Sequence, residues 1–527
     1  MAFSRLDQFQ KIKANEAKYD ICIIGGGATG AGVALDAVLR GYKVLLIEKG
    51  DFAGQTSSKS TKLVHGGVRY LEQAVRNLDW QQFKMVYKAL HERKVMLQNA
   101  PYLAHPLALL TPCYSWWDRV YYGVGMWLYD RISGVTNLKS SQGLGKKQME
   151  QLVPNLQVKS MSGGILYYDG QLNDARYALA ILQSAEKEGA AILNYCELSH
   201  FTLSPKSLKI KRIHFKDLVA GEEYEVDCKV VINATGPFTD HIRQLANLKL
   251  KPRMKVSRGA HIVLPKSFWP GETALLIPKT DDGRVVFVIP WREYILVGTT
   301  DEPDELTENP PIKEEEEDYL LDYFNRFALQ KASKSDICSG FVGQRPLLQV
   351  GLSDAMQSDT KSLVRDHEVE VDQRSKLVSI MGGKWTTYRV MAEDTMDVVE
   401  EEVLHRKRQP CRTKDYALFG AEPVDELKWQ QRILDLQVGQ ESARHLREIY
   451  GSHAWDVLAY CESSTGGLDL IHSSLPYLQG ELNYLKNFEM VECWEDILYR
   501  RWGISLRDQA KGQLIKDIKK EAFASFI

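Results

Sequence analysis

The chain has 527 residues, room for about three domains at roughly 150 residues each. Hydrophobic residues make up 44% and charged residues 26%, an ordinary globular mix that excludes a disordered or fibrous chain. The net charge of −2 gives no global pull toward nucleic acid. The eight scattered cysteines, with no CxxC pair, exclude a zinc knuckle or a disulfide framework and fit a reducing compartment.

In chain order, residues 1–20 are polar and charged, without the apolar stretch of a secretory signal. Ile21-Cys22-Ile23-Ile24 reads as a buried parallel strand. Gly25-Gly26-Gly27-Ala28-Thr29-Gly30 then satisfies GxGxxG, and a small-residue helix from Ala31 to Leu39 closes near Gly41. A second buried strand, Val44–Ile47, ends at Glu48, 18 residues after Gly30. This context makes the match a dinucleotide fingerprint. Gly25 allows the tight turn, Gly27 lets backbone N–H groups approach a pyrophosphate, and Gly30 permits close helix–strand packing. Glu48 is placed to accept hydrogen bonds from an adenosine ribose. The pattern alone does not separate FAD from NAD.

Asp51 to Tyr70 is dense in hydroxyls, including Thr56, Ser57 and Ser58, suited to hydrogen-bonding phosphate or to forming a polar surface loop. The uncharged run Val95–Trp117 contains Pro101, Pro106 and Pro112, which excludes a spanning helix. Tyr114 to Tyr129 is rich in aromatics, which reads either as core or as a surface that dips into one membrane leaflet. Asn173-Asp174 opens a helix running to Glu188, with a strand beginning at Ile192-Leu193; Val230–Ile232 is another buried strand leading into Asn233-Ala234-Thr235-Gly236. Residues 255–301 carry β-rich segments at Val256, Ala260–Leu264, Val285–Ile289 and Ile295–Val297, expected to form a separate antiparallel sheet. Four glutamates open a helix at Glu314–Phe327, where the macrodipole favours them. From about residue 410 the periodicity is helical. Between Tyr499 and Lys520, Lys/Arg at 500, 501, 507, 511, 516, 519 and 520 face only Asp508 and Asp517, a basic run that reads as a solvated helix face or as a contact for anionic lipid.

Taken together, GGGATGAG, TSSKSTKLVHGGVRYLE, NATGPF, SRGAHIVLP, VFVIPW, VGTTDE, GQRPL, VRDHEV and GGKWTTYR resemble the motifs of FAD-dependent glycerol-3-phosphate dehydrogenases, which belong to the D-amino-acid-oxidase-like flavoproteins. The resemblance covers about residues 18–400 and is weaker beyond. It implies an α/β fold: a Rossmann-like FAD-binding domain, an antiparallel-sheet substrate domain and a helical C-terminal domain. The FAD segments are expected at about 18–75, 165–250 and 355–400, the substrate segments at about 76–164 and 251–354, and the helical domain at 408–527. The implied reaction is oxidation of sn-glycerol 3-phosphate to dihydroxyacetone phosphate by hydride transfer to the flavin, with electrons passed to membrane quinone. An oxidase branch that uses oxygen can carry an insertion between the RPL and GGK motifs; here Arg345 and Lys384 are 39 residues apart, which favours the dehydrogenase. An amine oxidase of the same fold and a non-catalytic flavin-binding protein are the other readings.

The substrate is a secondary alcohol carrying a dianionic phosphate. It calls for arginines to hold the phosphate and a base to take the hydroxyl proton. By the resemblance His261 is the base, in Gly259-Ala260-His261-Ile262, with a satisfied core histidine as the alternative. Arg345, before Pro346 in an expected tight turn, would stabilise developing alkoxide. Arg69 and Arg365 are the other phosphate candidates, with Arg365 equally readable as an ion pair with Asp366; His65 is a further substrate-site candidate that could contact the flavin ring or serve as the base in place of His261. Gly383 allows close approach to the flavin, and Lys384 would stabilise the anionic reduced form. Thr235 and Gly236 help close the FAD site, and Trp385 replaces the family's usual aliphatic residue. No metal is called for. The implied location is cytoplasmic, peripheral on the inner face of the cell membrane and against anionic lipid, with no nucleic acid and with a homodimer left open.

Overall fold

The computed structural model describes residues 3–14, 16–67, 80–134, 137–349 and 367–520. The fingerprint strand Lys18–Ile24 lies inside an eight-stranded sheet, parallel to Val44–Ile47 on one side and to Glu223–Asn233 on the other. Ala191–Leu193 extends the sheet beyond Val44–Ile47, and Val378–Gly382 beyond Glu223–Asn233; antiparallel His367–Val371 closes that edge. The strand core is apolar throughout because both faces are covered. Ile21 and Ile23 pack under the helices Ala28–Leu39, Asp174–Lys187 and Tyr388–Val398. Cys22 and Ile24 face the hairpin Cys196–Leu203 and Ile210–Asp217 on the other side. The helix after the fingerprint is built of small residues because its neighbour is close: a Cβ on Gly32 would stand 2.8 Å from the Tyr388 ring.

The second sheet has ten strands and is antiparallel except where Ala274–Ile277 runs parallel to Ala104–Cys113. Met254–Pro265 is one continuous strand, joining the separate segments expected at Val256 and Ala260–Leu264; it pairs with Ser339–Leu348 along its length and with Tyr294–Gly298 and Glu302–Asp304 on its other side. Arg345-Pro346 therefore sits within a strand, not in the tight turn expected. Among the described residues Ser339–Leu348 pairs only with Met254–Pro265, so it is an edge there, and an edge tolerates a proline that donates no hydrogen bond. Gly163–Leu172 and Leu63–Val64 also belong to this sheet, so the chain crosses between the sheets before residue 75 and returns at Asn173 rather than 165. In the acidic helix Glu314–Phe327, Glu316 is buried and grips Arg258 at 2.7 Å.

Residues 411–520 form the expected helical domain, from Glu426–Asp435 to Gln509–Ile518, around its own apolar core. Its basic run is divided: Lys511, Lys516, Lys519 and Lys520 lie at or near the surface, and the arginines turn inward. Arg501 and Arg507 are buried and Arg500 is almost so, all in internal ion pairs or hydrogen bonds. The aromatic segment is likewise divided by the helix Trp116–Ser133. Tyr129 is buried and Tyr122 half-buried, while Trp116, Trp117, Tyr121, Val124 and Trp127 are exposed, Trp116 by 63% and Trp117 by 72%. Among the described residues no helix is long and apolar enough to cross a membrane.

Candidate active site

A cavity of about 1240 Å³ runs between the two sheets. Its first end is made of backbone. The strand Lys18–Ile24 stops at Gly25, whose φ of +110° and closeness to the Ala234 carbonyl, 2.6 Å from an added Cβ, both require glycine. A Cβ on Gly30 would overlap the Gly25 carbonyl, so Gly30 seats the helix on the turn and stays off the cavity wall. Gly27 is the N-cap of that helix, and the Ser57 hydroxyl accepts a hydrogen bond from the Ala28 N–H at 3.0 Å. Glu48 accepts from the N–H groups of Gly26 at 2.6 Å and Gly50 at 2.9 Å; burial raises its pKa, and these two donors oppose the rise. Thr235 and Gly236 line the facing wall. Thr56 lines the cavity and donates to the Gln344 carbonyl at 2.7 Å, tying the hydroxyl loop to the second sheet. Ser58 differs from its neighbours: it is buried, off the cavity, and donates to Gln55.

The far end is made of side chains from the second sheet. Ser257, Gly259 and His261 alternate onto one face of their strand, with Arg345 opposite Ser257. Gly259 leaves the space that the Arg345 guanidinium fills, and Gly298 leaves the space for the His261 ring; a Cβ on either would overlap. Arg345 donates to Thr299 Oγ1 at 3.0 Å, to the Thr300 carbonyl at 3.1 Å and to Asp301 at 3.2 Å. His261 is 2% exposed, stacked on Phe341 with ring centroids 4.9 Å apart, and its Nε2 lies 3.0 Å from the Thr61 hydroxyl. Burial, then the Arg345 and Lys62 cations, push its pKa well below the ordinary histidine range, so the imidazole is neutral at pH 7. Gly383, with φ +83°, and Lys384 bring the third motif to the wall, with Lys384 Nζ 3.7 Å from Met85 Sδ. His65 also lines the cavity. Arg69 and Arg365 lie outside the described residues.

Several residues take roles at this site that the motifs did not assign to them. Lys62 is buried, bonded to Asp174 and the Ser58 carbonyl at 2.6 Å, with its ammonium 5.5 Å from the Phe341 ring on which His261 stacks. Thr61, Thr299 and Asp301 fix His261 and Arg345. All four lie in the quoted TSSKSTK and VGTTDE motifs, so their neighbourhood was visible even though their roles were not. Trp385 donates from its indole to the Ser57 carbonyl at 2.8 Å, linking the GGK motif to the hydroxyl loop. Tyr129 accepts from the Gly66 N–H at 2.9 Å and donates to Asp169 at 2.8 Å, steadying the backbone beside His65.

Residues 20–388 match the family model of FAD dependent oxidoreductases, and residues 411–520 match the C-terminal domain of alpha-glycerophosphate oxidase. The chain is 41% identical over 494 residues to the mitochondrial glycerol-3-phosphate dehydrogenase of Mus musculus, covering 91% of this chain and 67% of the mouse protein. It is 38% identical over 507 residues to glycerol-3-phosphate dehydrogenase SDP6, mitochondrial, of Arabidopsis thaliana, covering 93% and 80%. The chain belongs to the FAD-dependent glycerol-3-phosphate dehydrogenases. It spans about two thirds of the length of the mammalian members, 65% for Homo sapiens. The solved glycerol-3-phosphate dehydrogenase from Bacillus halodurans, complexed with FAD, superposes with a TM-score of 0.79 at 29% identity, covering 99% of this chain and 94% of the other. As members of this family do, the chain takes FAD. Its residues fit the group: Gly27, Ala28 and Thr29 set a helix N-terminus on the cavity wall, Gly25 and Gly27 keep that wall free of side chains, and the cavity exceeds the roughly 300–1,000 Å³ of a drug-sized ligand.

Proposed function

We propose that this chain oxidises sn-glycerol 3-phosphate to dihydroxyacetone phosphate and passes the electrons to membrane quinone. The observation that carries the reading is the pairing of a buried, neutral His261 with a fixed Arg345 on adjacent strands of one cavity, opposite a dinucleotide fingerprint. Gly25, Gly27, Glu48, Thr56, Ser57, Thr235, Gly236, Gly383 and Lys384 are the residues that would hold FAD. Bound FAD supplies the acceptor for the hydride leaving C2. His261 takes the hydroxyl proton, which only its neutral form can do, and Thr61 keeps the ring oriented. Arg345 presents a positive field to the developing alkoxide. Its own hydrogen bonds to Thr299, Thr300 and Asp301 fix it in advance. Arg69 and Arg365 are the candidates for holding the phosphate, and His65, on the cavity wall, is the alternative base or a flavin contact.

The quinone and membrane parts of the proposal rest on one helix. The outer face of Trp116–Ser133 exposes Trp116, Trp117, Tyr121 and Trp127, side chains that favour the headgroup level of a bilayer. Its inner face contributes Tyr122 and Met126 to the cavity that also holds Lys384 and His261. A peripheral protein seated by this helix on the inner face of a cell membrane would have one helix thickness between its site and the lipid. An assay of sn-glycerol 3-phosphate oxidation with a soluble quinone analogue, run with and without oxygen, tests the assignment. Turnover that depends on the quinone supports it. Equal turnover with oxygen alone, accompanied by hydrogen peroxide, favours the oxidase.

A further inference from the structure

The loop that carries the hydroxyl residues begins at Asp51, and Asp51 is held from the C-terminal domain. Its carboxylate is buried. It accepts from Arg501 Nη1 at 2.8 Å and Nη2 at 2.9 Å, from Arg500 Nε, and from Asn194 at 3.3 Å. Burial by itself would raise its pKa; Arg501 and Arg500 overcome this and hold it at about 2. Both arginines are locked in turn. Arg500 donates to Asp496 at 2.6 Å, and Arg501 donates to the Glu489 carbonyl at 2.8 Å. Asp496 accepts from Tyr195 at 2.6 Å, and Asn194 donates to the Met490 carbonyl at 2.8 Å, so the end of the first sheet is fastened to the helical turn Asp496–Arg501 and to the connection before it. From Asp51 the loop bonds back to the fingerprint, Ala53 N–H to the Gly26 carbonyl at 3.0 Å, and six residues on it delivers Ser57 to the helix terminus. Arg500 itself reaches the cavity wall.

We infer that the C-terminal domain acts as a clasp on the cofactor site: Arg500 and Arg501, through Asp51, set the shape of the 51–58 loop in which FAD is held. Asp51 and Arg501 are positioning residues here, because neither needs to touch the reacting atoms. The helical domain then has a definite role in cofactor retention, separate from any part in substrate chemistry.

The test is the dissociation constant of FAD for deflavinated protein, read by flavin fluorescence, alongside the thermal midpoint of the same apoprotein. Asp51→Asn is expected to weaken FAD binding by about tenfold or more, the loss of roughly one charge-assisted contact's worth of preorganisation. Glu481→Gln is the control. Glu481 is buried inside the helical domain, where it accepts from Tyr450 and Trp502. It is expected to lower the midpoint while leaving the FAD constant within about twofold, a change small against the tenfold step of 1.4 kcal/mol. If Asp51→Asn does not fold, Arg500→Gln keeps the Arg501–Asp51 pair and is expected to weaken FAD binding by about threefold. An unchanged FAD constant in the folded variant, or an equal weakening in Glu481→Gln, overturns the inference. The readout is cofactor binding, so an error in the substrate assignment does not affect it.

Discussion

The two ends of the cavity recognise their ligands by opposite means. At the fingerprint end the donors are backbone N–H groups at a helix terminus, and the side chains that matter are mostly absent ones, Gly25, Gly27 and Gly30. At the other end the wall is made of side chains: His261 and Arg345 on adjacent strands and Lys384 in the turn after Val378–Gly382, the groups to which the proposed chemistry is assigned. Backbone recognition is fixed by the fold and carries no titrating group, whereas side-chain recognition depends on charge. Substitutions at the first end should therefore act on cofactor loading and stability, and those at the second on turnover and its pH dependence.

The largest expected effect at the first end is that of Gly30→Ala. Its Cβ would overlap the Gly25 carbonyl, backbone that cannot move aside without shifting the helix. Overpacking of this kind costs about 1–3 kcal/mol, and we expect a lower thermal midpoint and protein purified without yellow colour. Full flavin content in that variant would break the comparison. At the second end, His261→Asn is expected to lower kcat by about 100-fold or more while flavin content stays at the wild-type level. Loss of flavin in place of turnover would place His261 with the cofactor rather than the substrate.

Arg345→Ala is expected to reduce turnover at least about tenfold, a modest loss for a charged contact made in the transition state. Arg345→Gln sharpens the point through pH. In the wild type the Arg345 and Lys62 cations oppose protonation of His261, so activity should hold through neutrality and fall only well below the ordinary histidine pKa. Removing the Arg345 charge lets the imidazole protonate more easily, so the acid limb of the residual kcat/KM profile should move to higher pH. An acid limb that stays in place would mean that His261 is not the titrating base. The smallest effect is expected outside the cavity. Trp116→Ala with Trp117→Ala should weaken binding to anionic vesicles severalfold and leave turnover with a soluble quinone analogue near normal, measured by co-sedimentation and steady-state assay.

The fingerprint end was legible in the sequence because its physics is local. A buried strand, a glycine turn, a small-residue helix and an acidic strand end fall within residues 21–48, and each appears where its pattern put it. At the reacting end, residue types and motifs were visible but their partners were not. Nothing in the spacing says that Phe341 would stack on His261, or that Lys62 would bring its ammonium within 5.5 Å of the same Phe341 ring. Arg345-Pro346 looked like a turn because proline usually breaks strands; only the pairing, which makes Ser339–Leu348 an edge, explains why it does not. The arginines of the basic C-terminal run were hidden for a similar reason. Charge counted along the chain suggested a surface, whereas Arg500 and Arg501 find Asp51 some 450 positions away. The aromatic segment could be read in two ways, and the helix Trp116–Ser133 contains both, with Tyr129 inside and Trp116 and Trp117 outside.

The central claim is that one cavity joins an FAD site to a site for sn-glycerol 3-phosphate. Its most direct test is the visible spectrum of the purified holoprotein under anaerobic conditions, before and after that substrate is added. The account predicts loss of the oxidised-flavin band at roughly 450 nm, in wild type and far more slowly in His261→Asn. A flavin band that sn-glycerol 3-phosphate leaves unbleached would contradict it.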